Sequence, residues 1–208
     1  MMLQVALDFT NIEEAMRVAE KAAKAGADIL EAGTPLIKAE GSRAISELKK
    51  KFPQKLIAAD MKTMDAGQLE TEIAINAGAD IVSILGVSSN TTIKDAIKIA
   101  KENNKKIMVD LIGVQDKIKR AKEVELFGAD YILVHTGLDE QAEGKDPFKD
   151  LKNVCNATKI PIAVAGGIND KSIFLLKEFK IDIVIVGGFI TKSKNPEEAT
   201  TVILSSMR

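Results

Sequence analysis

The chain has 208 residues, 46% hydrophobic and 28% charged, close to the average for globular proteins, which predicts one domain, residues 1–208, with one substantial core. The formal net charge of −1, from 29 basic and 30 acidic residues, argues against nucleic-acid or membrane-surface binding, and the absence of tryptophan argues against a base-stacking platform. A single cysteine excludes an intrachain disulfide, no apolar run reaches the roughly 18 residues of a membrane span, and the N-terminus lacks a signal-peptide pattern, so we expect a cytoplasmic protein.

Short apolar runs alternate with stretches of helical periodicity from the N-terminus onwards. The first run ends at Asp8, after which Thr10 or Asn11 can cap a helix that Gly26 closes. The cycle then recurs, and three of the helices are followed by Gly-Ala-Asp, a pattern typical of a helix end that leads into a strand. The sequence predicts strands at residues 3–7, 29–33, 56–60, 80–85, 106–111, 131–135, 160–165 and 181–186. It predicts helices at residues 12–25, 44–51, 68–77, 91–102, 116–127, 148–157, 170–179 and 196–206.

Eight strands that alternate with eight helices favour an α/β fold, a (β/α)₈ TIM barrel. The strands are apolar on both faces, as parallel strands covered by helices should be. Each unit has about 26 residues (208 divided by eight), near the lower limit for such a barrel. The alternative is an open, doubly wound sheet, but no Gly-x-Gly-x-x-Gly follows the first strand, where Asp8-Phe9-Thr10 stands.

Polar residues concentrate where the predicted strands end, and in barrels of this type the chemistry lies at the carboxyl ends of the strands. The fourth strand, which ends at Leu85 and Gly86, is uninformative. On the third strand, two charges stand two residues apart and therefore point to the same side of an extended backbone. The polar residues at or just beyond the ends of the predicted strands are Asp8, Glu31, Asp60, Lys62, Asp65, Asp110 and His135, which is the only histidine.

Each of these residues also has a structural interpretation. Asp8 can cap the first helix, and Asp65 can be an ordinary loop residue. Asp60 and Lys62 can form a structural ion pair, although buried pairs stabilise weakly. Asp110 can be a buried carboxylate that supports Lys62 or a loop. The histidine can be a hydrogen-bonded residue of the core. The position of His135 at a strand end favours acid–base chemistry, which suits its pKa near neutral pH.

Two further patterns indicate ligands. Glu31 and Asp60 lie on neighbouring strands, and a pair of carboxylates suits Mg²⁺, or Mn²⁺ in its place. Zinc is disfavoured because one histidine and one cysteine form no ligand cluster. Gly-Gly follows the seventh and the eighth strands, where barrels commonly bind phosphate through backbone N–H groups; the alternative is a pair of tight turns. The glycines are Gly166, Gly167, Gly187 and Gly188.

Taken together, these residues resemble the orotidine 5′-phosphate decarboxylase superfamily, whose signature Asp-x-Lys-x-x-Asp stands here as Asp60, Lys62 and Asp65. Within the superfamily the chain is most similar to the 3-hexulose-6-phosphate synthases. The matching stretches are Val5-Ala-Leu-Asp8, Glu31-Ala-Gly-Thr-Pro-Leu-Ile-Lys38, Asp60-Met-Lys-Thr-Met-Asp-Ala-Gly67, Val109-Asp-Leu-Ile-Gly-Val114, His135-Thr-Gly-Leu-Asp-Glu-Gln141 and Ala163-Val-Ala-Gly-Gly-Ile168.

The resemblance implies a metal-dependent aldolase that joins formaldehyde to ribulose 5-phosphate, or runs in reverse, through a Mg-stabilised 1,2-enediolate. It implies that Glu31 and Asp60 hold the metal, that His135 moves the C1 proton, and that Lys62 hydrogen-bonds the reacting oxygens. It further implies that Asp8 orients Lys62 and a substrate hydroxyl, that the four glycines bind the phosphate, and that Asp110 contributes to the substrate site. Asp65 is expected to reach the partner's site in a homodimer with shared active sites.

Three alternatives stay open. A 3-keto-L-gulonate 6-phosphate decarboxylase is expected to have His-Arg-Ser-Arg-Asp after the sixth strand, where this chain has His135-Thr-Gly-Leu-Asp139. Orotidine 5′-phosphate decarboxylase itself needs no metal, usually has lysine in place of Glu31, and binds phosphate with an arginine after the eighth strand. The third alternative is a non-catalytic sugar-phosphate-binding barrel, which the intact charged residues disfavour.

Overall fold

A computed structural model of the chain describes residues 1–144 and 150–207. Within these residues, eight strands pair in parallel, each with the next along the chain, and the last pairs with the first, so the sheet closes into a barrel. The predicted (β/α)₈ barrel is confirmed. The strands are β1 (Met2–Leu7), β2 (Ile29–Ala32), β3 (Leu56–Thr63), β4 (Ile81–Leu85), β5 (Lys106–Asp110), β6 (Tyr131–His135), β7 (Ile162–Ala165) and β8 (Ile183–Val186).

Helices cover the outside of the barrel. In the described residues they are α1 (Ile12–Ala25), α2 (Thr34–Glu40), α3 (Arg43–Lys51), α4 (Gly67–Asn76), α5 (Asn90–Glu102), α6 (Lys117–Phe127), α7 (Leu138–Ala142), α8 (Leu151–Ala157), α9 (Gly188–Thr191) and α10 (Pro196–Met207). A 3₁₀ helix, Ile173–Glu178, precedes β8. None of these helices is long and apolar enough to cross a bilayer.

The helices differ from the prediction at a few places. The short helices α2, α7 and α9 were not predicted, since α2 opens with Thr34-Pro35 after a glycine and the other two are too short for a periodic pattern. The helix predicted at residues 170–179 is the shorter 3₁₀ helix. The helix predicted at residues 148–157 corresponds to α8, and its predicted first two residues lie outside the described residues.

The helix ends that the sequence predicted are present. Asn11 caps α1, and its side-chain oxygen accepts a hydrogen bond from the backbone N–H of Glu14 at 3.0 Å. Gly26 ends the same helix with a φ of 111°, a left-handed conformation that glycine adopts without steric cost. The local signals of the sequence therefore determine where the first helix begins and ends.

Two hydrophobic layers follow from the period of two along each strand. One set of strand residues points outward and packs against the helices, and the other set points into the barrel. The inner set includes Ile29, Ala58, Ile81, Met108 and Leu133. Two residues further along the same strands, at their carboxyl ends, the same alternation places a second inward-facing layer that is polar. We call Glu31, Asp60, Ser83, Asp110 and His135 the polar layer.

The opposite end of the barrel has a repeated stabilising contact. An aspartate precedes each even-numbered strand, and its carboxylate accepts a hydrogen bond from a backbone N–H near the start of the preceding odd-numbered strand. The donors are 2.8–3.0 Å from the acceptors, and the pairs are Leu3 with Asp28, Ile57 with Asp80, Ile107 with Asp130, and Ile162 with Asp182. In three of the four pairs the aspartate belongs to the Gly-Ala-Asp pattern, which therefore ends a helix and also joins neighbouring strands.

Candidate active site

The third strand carries its two charged residues through an irregular stretch. Ala59 pairs with Val82 and Thr63 pairs with Ile84, so three residues of β3 lie opposite one residue of β4. Within this bulge the backbone of Lys62 has a φ of +47°. A left-handed conformation costs a residue other than glycine roughly 1–3 kcal/mol and persists only where its surroundings impose it. Bulges of this kind redirect a side chain, and β3 runs beyond its predicted end at Asp60.

The ammonium group of Lys62 lies between two carboxylates. Its Nζ is 3.0 and 2.8 Å from the two carboxylate oxygens of Asp60 and 3.3 Å from Oδ2 of Asp110. The same Oδ2 is 2.8 Å from Nδ1 of His135. Asp110 is fully buried, and its other oxygen accepts a hydrogen bond from the backbone N–H of Ile112. The structure therefore joins four of the predicted site residues in one continuous chain of polar contacts.

The charges in this series of polar contacts stabilise one another. Burial lowers the pKa of Lys62, but the carboxylates of Asp60 and Asp110 outweigh it and hold that pKa above its ordinary value. Burial raises the pKa of Asp110, but the contact with His135 and the charge of Lys62 outweigh it and hold that pKa below its ordinary value. At neutral pH the site therefore contains a lysine ammonium and an Asp110 carboxylate.

Two hydroxyl groups that the sequence did not indicate hold Asp60. Ser83 Oγ donates to Oδ1 of Asp60 at 2.7 Å, and Thr34 Oγ1 is 2.7 Å from Oδ2. Ser83 also accepts a hydrogen bond from the backbone N–H of Lys62 at 3.1 Å. The alternation along β4 could have indicated Ser83, because it is the polar residue between Ile81 and Leu85 on the inward-facing side. Thr34 has no comparable signal.

Glu31 lies inside the barrel next to this network, with 6% of its surface exposed. Burial raises the pKa of Glu31 well above its ordinary value, and the negative charges of Asp60 and Asp8 raise it further. Gln4, directly below on β1, donates from Nε2 to Oε2 of Glu31. The buried Oε1 of Gln4 has no hydrogen-bond partner in the described part of the chain. Glu31 is therefore a carboxylate whose charge is poorly compensated.

Asp8 lies at the rim of the same opening. Partial burial raises the pKa of Asp8, as does the charge of Asp60, while Lys62 and His135 lower it. Its Oδ1 closely approaches Gly33, where a Cβ would clash with it. No described side chain hydrogen-bonds the Asp8 carboxylate. In the described residues, Asp8 and Lys62 interact through their charges, and the role of Asp8 in orienting Lys62 and a substrate hydroxyl stays a prediction.

The remaining predicted residues lie around the opening. Asp65 is exposed just beyond β3 and takes no part in the hydrogen bonds or ion pairs of the polar layer. Gly166 and Gly167 follow β7 with φ values of 111° and 65°, and a Cβ at Gly166 would clash with the carbonyl oxygen of Thr136. Gly187 and Gly188 join β8 to α9, so both Gly-Gly pairs lie at the same end of the barrel as the polar layer.

The donor set fits a hard cation that takes only part of its coordination from the protein. In the described residues, no group of three or more histidine, cysteine, aspartate or glutamate side chains is arranged to hold a metal ion. Glu31 and Asp60 nevertheless lie close enough together that the charge of Asp60 raises the pKa of Glu31. Mg²⁺ is typically bound by one or two carboxylates, with water and substrate oxygens completing its octahedron. A cation there would offset the excess negative charge that raises the pKa of Glu31.

Comparison with known proteins agrees with this geometry. The family model "Orotidine 5'-phosphate decarboxylase / HUMPS family" matches residues 1–203. The chain is 46% identical over 202 residues to the 3-hexulose-6-phosphate synthase of Bacillus subtilis (strain 168), covering 97% of this chain and 96% of the relative. The crystal structure of the 3-hexulose-6-phosphate synthase from Salmonella typhimurium superposes with a TM-score of 0.96 at 40% identity, covering 100% of this chain and 98% of that one.

A second solved structure bears on the decarboxylase alternative. The 3-keto-L-gulonate-6-phosphate decarboxylase from Vibrio cholerae O1 superposes with a TM-score of 0.88 but is only 28% identical, over 99% of this chain and 96% of that one. The fold is therefore common to both groups, whereas the amino-acid sequence lies nearer to the synthases. The chain belongs to the orotidine 5′-phosphate decarboxylase / HUMPS family and, within it, groups with the 3-hexulose-6-phosphate synthases.

Proposed function

We propose that the chain is an aldehyde-lyase that condenses formaldehyde with D-ribulose 5-phosphate to D-arabino-3-hexulose 6-phosphate, and that also catalyses the reverse reaction. The observation that carries the proposal is the chain of contacts from Asp60 through Lys62 and Asp110 to His135, beside Glu31 at the barrel opening. It combines a fixed cation, an oriented imidazole and a pair of carboxylates. Membership of the family, with synthase relatives at 46% identity, supports the same reaction.

His135 is the residue that we assign to proton transfer. Its Nδ1 contacts Asp110, whose carboxylate is ionised, so Nδ1 carries a hydrogen, and in the neutral imidazole Nε2 has the free electron pair that a base needs. Nε2 removes a proton from C1 of ribulose 5-phosphate, the C–H electrons form the C1–C2 double bond, and the electrons of the C2 carbonyl bond move to its oxygen, which gives an enediolate. The C2 carbonyl then reforms while C1 bonds to the carbon of formaldehyde, and the former formaldehyde oxygen takes the proton back from Nε2. General base catalysis of this kind is typically worth 10²–10⁴-fold in rate.

Lys62 supplies positive charge to the reacting oxygens. The pKa of Lys62 is held above its ordinary value by its carboxylate neighbours, so the side chain is an ammonium donor and not a base at neutral pH. An ammonium fixed in advance at a site of developing negative charge needs little reorganisation during the reaction. We therefore assign Lys62 to hydrogen-bonding the enediolate oxygens or the carbonyl oxygen of formaldehyde, and Asp8, at the rim, to a substrate hydroxyl.

Glu31 and Asp60 would hold Mg²⁺, or Mn²⁺ in its place. When bound, such a cation supplies Lewis-acid polarisation of substrate oxygens, worth several kcal/mol of charge stabilisation. The support for this assignment is the poorly compensated charge of Glu31, which a divalent cation would satisfy. Asp60 is already held at both of its oxygens by neighbouring hydroxyl and ammonium groups, which would fix its orientation toward a metal.

The phosphate of the substrate is assigned to the two Gly-Gly turns. Both follow strands at the same end of the barrel as the polar layer, and the first N–H groups of α9 have no acceptor within their own helix. Glycine allows a close approach of the backbone to an anion. The backbone N–H groups of Gly166, Gly167, Gly187 and Gly188 would therefore bind the phosphate, while Asp110 acts on the substrate through its neighbours.

We further propose a homodimer in which Asp65 serves the partner's site. Asp65 is exposed and follows Met64 in the chain, and further exposed apolar residues, Leu69 and Ile73, come soon after it; the three apolar residues are 55%, 58% and 44% exposed. Leu69 and Ile73 are four residues apart on α4 and so lie on one face of that helix. Burial of this face against a second copy would remove apolar surface from water and bring Asp65 to the neighbouring subunit.

The reaction itself gives the first test. With ribulose 5-phosphate and ¹³C-formaldehyde, we expect the purified chain to form 3-hexulose 6-phosphate in the presence of Mg²⁺, as followed by NMR, and to lose this activity in EDTA. Lys62→Ala should lower kcat by roughly 10²–10³-fold, because it removes the fixed ammonium, while the sugar phosphate still binds. Lys98→Ala, which changes an exposed lysine on α5, is the matched control.

Failure to form the hexulose phosphate with Mg²⁺ present, or a rate indifferent to EDTA, would contradict the synthase assignment. The decarboxylase alternative predicts faster release of CO₂ from 3-keto-L-gulonate 6-phosphate than consumption of formaldehyde. The loop His135-Thr-Gly-Leu-Asp139 has no arginine to favour that outcome. Absence of both activities, with the sugar phosphate still bound, would leave the non-catalytic barrel.

The buried charge of Glu31 gives a prediction about stability. A carboxylate whose pKa is raised in the folded state keeps its proton at pH values where the unfolded chain has already released it. Folding therefore becomes less stable as the pH rises above about 4.3, the ordinary pKa of glutamate. In EDTA at pH 7.5, Glu31→Gln should therefore raise Tm by about 2–4 °C, the shift that roughly 1 kcal/mol gives in a chain of this size. The gain should vanish near pH 4, where the carboxylate is protonated in both states.

Two comparisons make this measurement specific. Glu178→Gln, at an exposed position, should leave Tm unchanged. Added Mg²⁺ or Mn²⁺ should raise the Tm of the wild-type chain more than that of Glu31→Gln, because the carboxylate that binds the cation is missing from the variant. A lower Tm for Glu31→Gln in EDTA would show that the protein itself compensates the charge of Glu31, and the metal assignment would lose its support.

The shared site can be tested by mixing two inactive variants. If Asp65 acts in the partner's site, Asp65→Asn and Lys62→Ala are each inactive, but a mixed dimer has one intact site. Equal amounts, unfolded and refolded together, should recover about a quarter of the wild-type activity, since half of the dimers are mixed and each has one working site of two. No recovery in a sample that light scattering shows to be dimeric would contradict the role of Asp65.

A further inference from the structure

We propose that Ser83 is a positioning residue that holds both Asp60 and Lys62 in the geometry needed for the reaction. The inference rests on the proposed function and adds a residue that contacts neither formaldehyde nor the sugar phosphate in that scheme. Ser83 lies on β4 inside the barrel, with 6% of its surface exposed. Its position follows from the strand pairing: between the pairs Ala59–Val82 and Thr63–Ile84, it is the one residue of β4 that faces the bulge.

One hydroxyl group makes two different contacts there. As an acceptor, Ser83 Oγ receives the backbone N–H of Lys62 at 3.1 Å. As a donor, it gives its hydrogen to Oδ1 of Asp60 at 2.7 Å. A hydroxyl is suited to both roles at once because it has one hydrogen and two lone pairs. Ser83 thus links the backbone of one charged residue to the side chain of the other.

The hydrogen bond from the backbone of Lys62 to Ser83 stabilises the strained backbone of the bulge. The φ of +47° at Lys62 turns its N–H away from an ordinary strand ladder, and Ser83 provides the acceptor that this N–H needs. With the backbone held in this way, the side chain places Nζ within 3.0 Å of both oxygens of Asp60 and 3.3 Å of Asp110. Loss of the acceptor should let the bulge relax and move the ammonium away from the reacting oxygens.

The contact to Asp60 fixes the carboxylate that is assigned to the metal. Oδ1 is held by Ser83 and Lys62, and Oδ2 by Thr34 and Lys62. Without the serine hydroxyl, Oδ1 keeps only the ammonium group of Lys62, whose backbone the same substitution releases, so the carboxylate is held less firmly. Partners of this kind behind a ligating carboxylate typically change metal affinity or activity by 10–100-fold when they are removed.

The test compares Ser83→Ala, Ser83→Thr and a remote control. Ser83→Ala should lower kcat for formaldehyde condensation by about 10–100-fold, with KM for ribulose 5-phosphate nearly unchanged because the phosphate site lies elsewhere. Ser83→Thr keeps the hydroxyl and should recover most of the rate. Thr200→Ala deletes a buried hydroxyl on α10, which bonds the carbonyl of Pro196, and should leave kcat unaltered.

Two further readouts separate positioning from a general loss of structure. In a crystal structure of metal-free Ser83→Ala, Lys62 should leave the left-handed region. In the Lys62→Ala background, Ser83→Ala should lower the residual kcat by less than it does in the wild-type background, since only the contact with Asp60 is left to lose. A Lys62 backbone that keeps its positive φ in Ser83→Ala, or an equal loss of kcat in Thr200→Ala, would overturn the inference. A wild-type chain that fails to condense formaldehyde would instead contradict the proposed function, and the crystal structure would still decide the role of Ser83.

Discussion

The candidate site depends on the contact between Lys62 and Asp60, a partly buried ion pair at the carboxyl end of β3. At 4 Å, opposite charges attract by about 4 kcal/mol where the effective dielectric constant is near 20, and this attraction must offset the loss of water around both groups. The pKa of Lys62 stands above its ordinary value, so here the neighbouring carboxylates outweigh burial. One ammonium nevertheless faces several carboxylates. Burial, and after it the negative charges of Asp60 and Asp8, raise the pKa of Glu31 well above its ordinary value.

The two ends of the barrel use aspartate in opposite ways. At the amino ends of the strands, Asp80 receives the N–H of Ile57 and the ammonium groups of Lys49 and Lys105. Burial raises the pKa of Asp80, but these three donors outweigh it and hold the pKa below its ordinary value, which makes the carboxylate stabilising at neutral pH. At the carboxyl ends, Glu31 accepts a hydrogen bond from the amide of Gln4, but no ammonium group of the described residues contacts it. The aspartates at the amino ends of the strands therefore stabilise the barrel, whereas the carboxylate of Glu31 at the carboxyl ends is available to interact with a ligand.

Most of the fold and half of the site could be predicted from the sequence. Alternating apolar runs and helix-ending glycines determine the barrel, and its topology brings Asp60, Asp110 and His135 to one end. The left-handed backbone of Lys62 could not be predicted, because its N–H is held by Ser83, a residue of the next strand.

Other predictions depend on molecules outside the chain. The partner role of Asp65 and the binding of phosphate by the glycines involve contacts that a single chain does not contain. Thr34 could not be predicted as a site residue, because the proline after it is typical of a loop. In the structure this proline lies in the first turn of α2, where proline is well tolerated. The cytoplasmic location and the single-domain boundary stay predictions from the sequence.

The central claim is that the network of Lys62, Asp110 and His135 forms an enediolate from the sugar phosphate. It can be tested without formaldehyde, by following ribulose 5-phosphate in D₂O by proton NMR with Mg²⁺ present. The account predicts that the wild-type chain exchanges one of the two C1 hydrogens for deuterium. It predicts that His135→Gln, which still binds the sugar phosphate, exchanges it roughly 10²–10⁴-fold more slowly. Exchange at the wild-type rate in His135→Gln would contradict the account.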